Sequence, residues 1–195
     1  MNKLMGFYEL KDSNLPSVPW EVYDENTKLD SSLLWTVRVA LNSGKDFNLP
    51  RIIGETASAA QSEARRLYEL YKDRGMIIYY PYFIADKSGT LKVDNNSIVI
   101  EAVSKDLWNL VTYNKKDLTV IKSNDDFNYF GEKDFLSSEE ISELVRYGEN
   151  VRKYFREYIY SDKVLLLEWS YAYNSSKDKK PKGERYLVFY EIREI

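Results

Sequence analysis

The 195-residue sequence contains no cysteine and no histidine. The first absence excludes disulfides, thiolate nucleophiles and cysteine metal sites. The second removes the usual general base, the Ser-His-Asp triad and the commonest zinc sites. Any chemistry must therefore come from Asp, Glu, Lys, Arg, Tyr, Ser or Thr. Long apolar runs are also lacking. The N-terminal MNKLMGFYELKD is too polar for a signal peptide, and no segment approaches the ~18 apolar residues of a membrane span. A cytoplasmic location is the expectation by default. A formal net charge of −3 does not suit a general nucleic-acid binder, although a local basic patch stays open.

What is present suits one domain with a real core: 44% hydrophobic and 30% charged residues. The patterning predicts an α+β fold. Residues 1–32 form a polar lead-in broken by Pro16 and Pro19, with a short strand in it. Residues 33–195 form the domain. Strands are expected over 33–40, 76–84, 90–93, 97–103, 118–122, 164–173 and 185–192. Pro81 suggests an edge or a bulge, and Ser88-Gly89 reads as a turn. A helix over 56–74 puts Ala57, Ala60, Ala64, Leu67, Tyr68 and Tyr71 on one face, with Ser58 and Gln61 as a capping box. A second helix starts at Ser137, capped with Glu140, and carries Ile141, Leu144, Val145, Val151, Tyr154, Phe155 and Tyr158 on its apolar face. Gly148 marks a kink or a close contact in it. The stretch 123–133 reads as irregular, and NSSKDKKPKGE between the last strands as a mobile loop. Tyr79, Tyr80 and Tyr82, among 17 tyrosines, fit half-buried strand positions, with ligand stacking as the alternative.

Charges inside apolar strands are the chemical signal. Glu101, Glu168 and Glu191 interrupt such runs, where a carboxylate must face solvent, find an ion pair or bind a metal. Glu168 and Glu191 lie on consecutive strands that can pair as an antiparallel hairpin. If they share a face they can share Mg²⁺ with phosphate oxygens. Arg193 follows Glu191 by two and so falls on the same side, either as a structural ion pair or in a phosphate clamp. Arg38 interrupts WTVRVA and needs a carboxylate or a phosphate. No P-loop or GxGxxG is present, and Gly44-Lys45 alone does not make a phosphate loop.

Six segments, TVRVA (36–40), IIYYPYFIADKSGTL (77–91), SIVIEAVSKDLWNLV (97–111), FLSSEEISELVRYG (135–148), LLLEW (165–169) and YLVFYEIRE (186–194), occur in the order of a known domain. In that order the chain resembles the nucleotide-binding domain of the phosphoenolpyruvate synthase and pyruvate phosphate dikinase family. The resemblance implies an ATP-grasp-like mixed or antiparallel sheet with two main helices packed on it, and ATP with Mg²⁺ as ligands. It makes Arg38 the phosphate-contacting arginine, Glu168 the glutamate of the family's "DIEW", and Arg193 the arginine of its closing motif. Glu191 stands where the family has glutamine, and Glu101 lies in the strand matching "IVIEA". Cofactor contacts are thus expected from Arg38, Glu101, Glu168, Glu191 and Arg193, and metal contacts from Glu168 and Glu191.

The departures are specific. The aspartate of "DIEW" is Leu166, and the family's "GLGE" is Lys105, Asp106, Leu107 and Trp108. The N-terminal "GGK" lysine has no counterpart in the lead-in, and no histidine is available for the family's phosphohistidine carrier. The implied function is a divergent nucleotide-binding domain unable to catalyse phosphotransfer alone, with a partner protein supplying the missing parts. The alternative is a non-catalytic binding or regulatory module that no longer binds ATP, its cleft rebuilt with Trp108 and the tyrosines.

Overall fold

The computed structural model describes residues 1–43, 49–107, 110, 116–161 and 163–195. Two antiparallel sheets carry the chain, an α+β arrangement. The smaller has the order β1-β4-β2-β3 and the larger β10-β9-β5-β6-β7-β8. The small sheet contains β1 (Glu21–Val22), β2 (Leu34–Leu41), β3 (Arg51–Thr56) and β4 (Gly75–Pro81). The large one contains β5 (Phe83–Val93), β6 (Ser97–Ser104), β7 (Leu118–Ser123), β8 (Asp126–Gly131), β9 (Leu165–Ser175) and β10 (Pro181–Glu194). Among the described residues, no helix is long and apolar enough to cross a membrane.

The two expected helices each cover one sheet. Helix α2 (Ala57–Tyr71) buries Ala60, Ala64 and Leu67 against Val37, Val39 and Ile77 of the small sheet. Its N-cap is Thr56, whose side chain accepts from the Ala59 backbone N–H, in place of the expected Ser58 box. Gln61 is used elsewhere: its amide donates to the Tyr23 hydroxyl and the Thr27 carbonyl, pinning the incoming chain. Helix α3 (Ser138–Tyr154) starts with the expected Ser137/Glu140 capping box and buries Ile141, Leu144 and Val151 on the large sheet. Gly148 is a close contact, because a Cβ there would lie 2.9 Å from Ile98 Cδ1. The helix breaks at Phe155 before the short α4 (Arg156–Tyr160), so Tyr154 swings outward to 52% exposure instead of joining the apolar face.

Several expectations need correction. The strand expected over 76–84 is two strands in different sheets: β4 ends at Pro81, which cannot donate to a ladder, and β5 begins at Phe83. Ser88-Gly89 is no turn. Gly89 lies mid-strand because a Cβ would sit 2.0 Å from the Glu101 carbonyl oxygen and 2.4 Å from the Trp169 ring. The stretch read as irregular contains β8, and β3 lies in a stretch for which no strand was expected. Most of the lysine-rich segment is strand, and the turn at 176–180 is closed by Ser176 N–H to the Lys180 carbonyl at 2.9 Å.

The largest correction concerns the lead-in, where Lys3–Asp12 forms helix α1. Asn2 caps it by accepting from the Met5 N–H, and Phe7 and Leu10 are buried. Gly6 lets the helix lie directly on β10: a Cβ would come 1.9 Å from the Ile192 carbonyl oxygen. Trp20 Nε1 donates to the Phe7 carbonyl at 3.1 Å and holds the helix from its other side. Gly6→Ala should therefore destabilise the protein by about 2 kcal/mol, the overpacking strain outweighing the better helix propensity of alanine. Urea unfolding measures it, and an unchanged or raised midpoint would contradict the close approach.

Candidate functional site

The strand-interrupting charges converge where the two sheets face each other. From β2, Arg38 donates through Nη2 to Glu191 Oε2 on β10 at 3.0 Å. Glu191 pairs directly with Glu168 of β9 in the antiparallel register. A β-bulge brings this about. Phe189 opposes Trp169 and Glu191 opposes Glu168, which leaves Tyr190 as the extra residue on β10. Without it, alternation would turn Glu191 toward the apolar core. With it, Tyr190 and Glu191 both line one cleft of about 510 Å³, together with Arg38, Glu168 and Arg193.

Glu191 is the electrostatic centre. Its side chain is 2% exposed and is surrounded by Arg38 at 3.0 Å, Arg193 at 3.5 Å and Lys3 of α1 at 3.6 Å. Burial alone would raise its pKa, but Arg38, Lys3 and Arg193 together hold it below the ordinary carboxylate value. For Arg38, burial opposes the charge, yet Tyr80, Glu191 and Glu168 keep its pKa above the ordinary arginine value. Glu168 behaves oppositely. Burial and the repulsion of Glu191 push it from 4.5 to about 7, against the pull of Arg38, Arg193 and Lys3. Among the described residues Glu168 makes no hydrogen bond or ion pair, so a carboxyl poised near neutrality faces the cleft.

Glu101 stays outside. It lies in the same cross-strand row as Glu168, with Thr90 between them, at two strand spacings or about 10 Å. It accepts from the Thr90 hydroxyl at 3.2 Å and pairs with Lys116. The charge in SIVIEAV is thus met by a local partner. The tyrosines divide. Tyr79 donates to Glu21 at 2.7 Å and packs on Trp35, whereas Tyr80 and Tyr82 line the cleft. Trp108, Gly44 and Lys45 lie outside the described residues.

Sequence reasoning missed Lys3, Arg51, Tyr190 and the buried Ser88/Ser170 hydroxyl pair at 2.8 Å, all in the cleft lining. One carried a usable signal: Ser170 is a polar residue inside an apolar strand, as Arg38 is.

The residues suit a transient metal better than a resident one. No group of three or more Asp or Glu residues able to hold an ion gathers among the described residues. Glu191 already has three cationic neighbours. Glu168 and Glu191 can complete the shell of a Mg²⁺ that arrives with phosphate oxygens of its own.

No family model matches the sequence, and no curated protein matches it. Solved structures do. One is purK, N5-carboxyaminoimidazole ribonucleotide synthetase, in its ADP complex, with TM-score 0.58 and 10% identity over 98% of this chain and 44% of that one. The Staphylococcus aureus N5-carboxyaminoimidazole synthetase complexed with ADP gives 0.54 and 13% over 98% and 43%. D-alanine-D-alanine ligase from Helicobacter pylori gives 0.52 and 12% over 98% and 50%. The fold is ATP-grasp-like. At such identities the likeness carries the fold alone. The chain spans half or less of the length of each of these structures. None of the three is a phosphoenolpyruvate synthase.

Two measurements test the charge cluster of the cleft. Arg38→Met should cost about 3 kcal/mol by stranding Glu191, and adding Glu191→Met should recover part of the loss. A urea-unfolding cycle reads both, and a single variant as stable as wild type would contradict the buried pair. Because folding raises the Glu168 pKa, its contribution to stability is fully present below pH ~4.5 and is lost as pH rises through about 7. Stability should fall across that window by at most about 1.4 kcal/mol per pH unit. Glu168→Gln should flatten the slope, and an identical slope in wild type and variant would refute the shift.

Proposed function

We propose that this chain is a divergent nucleotide-binding domain that takes ATP or ADP into the cleft between its two sheets, and that it does not carry out phosphotransfer alone. One observation carries the reading. Three cationic side chains surround a single buried carboxylate, and a second carboxyl, without a hydrogen bond or ion pair among the described residues, stands opposite. Arg38 and Arg193 together bring more positive charge than Glu191 neutralises, which favours a polyanion such as a phosphate chain. Leu49, Pro50, Ile53 and Leu107 give the same cleft an apolar wall suited to a base. Mg²⁺, which neutralises phosphate charge when bound, would be held by Glu168 and Glu191. Two of the ATP-grasp structures of similar fold are ADP complexes, which supports the same ligand class here.

The resemblance to phosphoenolpyruvate synthase and pyruvate phosphate dikinase rests on the six sequence segments, and four of its expected residues line this cleft: Arg38, Glu168, Glu191 and Arg193. The full reaction of that family needs a carrier histidine, which a partner protein would have to supply. A second reading is a binding or regulatory module that has given up ATP. What favours it is Arg38, whose guanidinium is already committed to Glu191 at 3.0 Å.

Isothermal titration with ATP, ADP and AMP, with and without Mg²⁺, separates the two. Nucleotide binding should give heat that strengthens with Mg²⁺ for ATP and ADP, and Glu168→Gln should remove most of the Mg²⁺ dependence. Absence of heat for all three nucleotides at millimolar Mg²⁺ would leave the regulatory module as the surviving reading.

A further inference from the structure

We propose that the free edge of β8 binds an extended peptide segment of a partner protein, apolar in its middle and carrying Lys or Arg at both ends, as an added strand of the large sheet. The proposal is independent of the nucleotide reading and concerns the edge of that sheet opposite β10.

Sheet edges can pair with other chains, and folds usually guard them. Among the described residues, three of the four sheet edges are guarded. The outer side of β10 is taken by the lead-in: the Phe189 N–H donates to the Pro16 carbonyl at 2.7 Å, and the Phe189 carbonyl accepts from the Val18 N–H at 3.1 Å. β1 is two residues long, too short to offer much of a template. β3 is broken by a bulge at Ile53 and Gly54, where its register against β2 slips. β8 has none of these devices. It pairs with β7 over six residues without a slip, contains no proline, lysine or arginine, and among the described residues has no strand beyond it.

The ladder turns a row of its backbone groups outward. The Glu132 N–H donates to the Asp117 carbonyl at 2.8 Å, so the pair at that end of the ladder is a hydrogen-bonded one. Alternation then bonds Phe130, Asn128 and Asp126 to β7 and points the N–H and C=O of Phe127 and Tyr129 away from it. The side chains along that row are apolar and open. Phe127 is 41% and Phe130 59% exposed, and the Phe127 ring stacks on Tyr129 at 6.3 Å. Such rings supply cross-strand contacts to whatever pairs with the row.

Charge selects the occupant. Asp125, Asp126, Glu132 and Asp134 flank the apolar middle of the strand, all exposed, with Lys133 as the one cation among them. A second copy of the chain, paired antiparallel across β8, would bring two such acidic sets together. Six residues a side is also well below the ~20 of a standard interface. A peptide strand with cationic ends meets the carboxylates with opposite charge and needs only the edge itself.

The test follows amide hydrogen exchange and chemical shifts by NMR on the full chain, with the acetylated and amidated peptide Lys-Lys-Val-Val-Thr-Val-Lys-Lys as the probe. In antiparallel pairing its valines fall opposite Phe130, Tyr129 and Phe127, and its lysines beside the flanking carboxylates. The Phe127 and Tyr129 amides should exchange freely in the unbound chain and slow by about 10-fold at saturating peptide. Those of Asn128 and Phe130, bonded to β7, should stay slow throughout. Glutamates in place of the peptide's lysines, or proline in place of the valine opposite Tyr129, should each weaken binding by about 10-fold or more. Phe130→Lys and Asp125→Lys should weaken it similarly in the protein, with urea midpoints reporting that both variants fold. Unaltered exchange at Phe127 and Tyr129 in about 5 mM peptide would overturn the proposal. Equal binding of the glutamate peptide would overturn it too. Slowing that tracks protein concentration without any peptide would make a second copy the occupant, and would also overturn it.

Discussion

The buried contact between Arg38 and Glu191 is the joint on which the two halves of the molecule depend. It joins β2 of the small sheet to β10 of the large one, between residues 153 apart in sequence. Burying such a pair is expensive in desolvation, and its own Coulomb attraction repays that only in good geometry. Here the geometry comes from elsewhere. Helix α1 lies along β10 without an intervening side chain, Phe7 sits beside the guanidinium, and Tyr80 lies in the adjoining wall. The pair fixes how one sheet faces the other, and the cleft is the space that remains between them.

This arrangement explains why two neighbouring carboxylates behave differently. Glu168 and Glu191 face one another across the same ladder, yet one is held ionised and the other pushed toward neutrality. Three cations crowd Glu191, while Glu168 has burial and a negative neighbour as its main influences. In a chain without histidine, a glutamate with a pKa of about 7 is the group best placed to change charge near neutral pH. The fold thus obtains from burial what a side chain of another type would supply intrinsically.

Much of this was legible in the sequence, and the parts that were not share a cause. Arg38, Glu168, Glu191 and Arg193 stood out because each interrupts or ends an apolar strand, a local pattern with one physical meaning. Glu101 gave the same signal, and a local lysine answered it, since the pattern states a need for a partner without naming it. The helices over α2 and α3 followed from periodicity. Helix α1 did not, because KLMGFYELKD carries a glycine in its middle and no clear apolar stripe; its burial comes from β10 and Trp20, far along the chain or across a loop. Gly89 misled for a related reason: the close approach that requires it involves Trp169 and the Glu101 carbonyl, which only the assembled sheet brings near. Lys3 was invisible because nothing in its neighbourhood marks a lysine as pointing inward.

The extra residue at Tyr190 divides β10 into two halves of opposite phase. Before it, Leu187 and Phe189 face the helix-covered core; after it, Glu191 and Arg193 face the cleft while Ile192 returns to the core. From Leu187 onward the strand keeps an apolar residue toward the core only because the count slips at Tyr190. The pairing of this segment is therefore as strictly specified as its composition. A strand that took Tyr190 into the ladder and paired straight through would keep every charged group it has now and present Glu191 and Arg193 to the apolar layer, with Ile192 turned out toward the cleft.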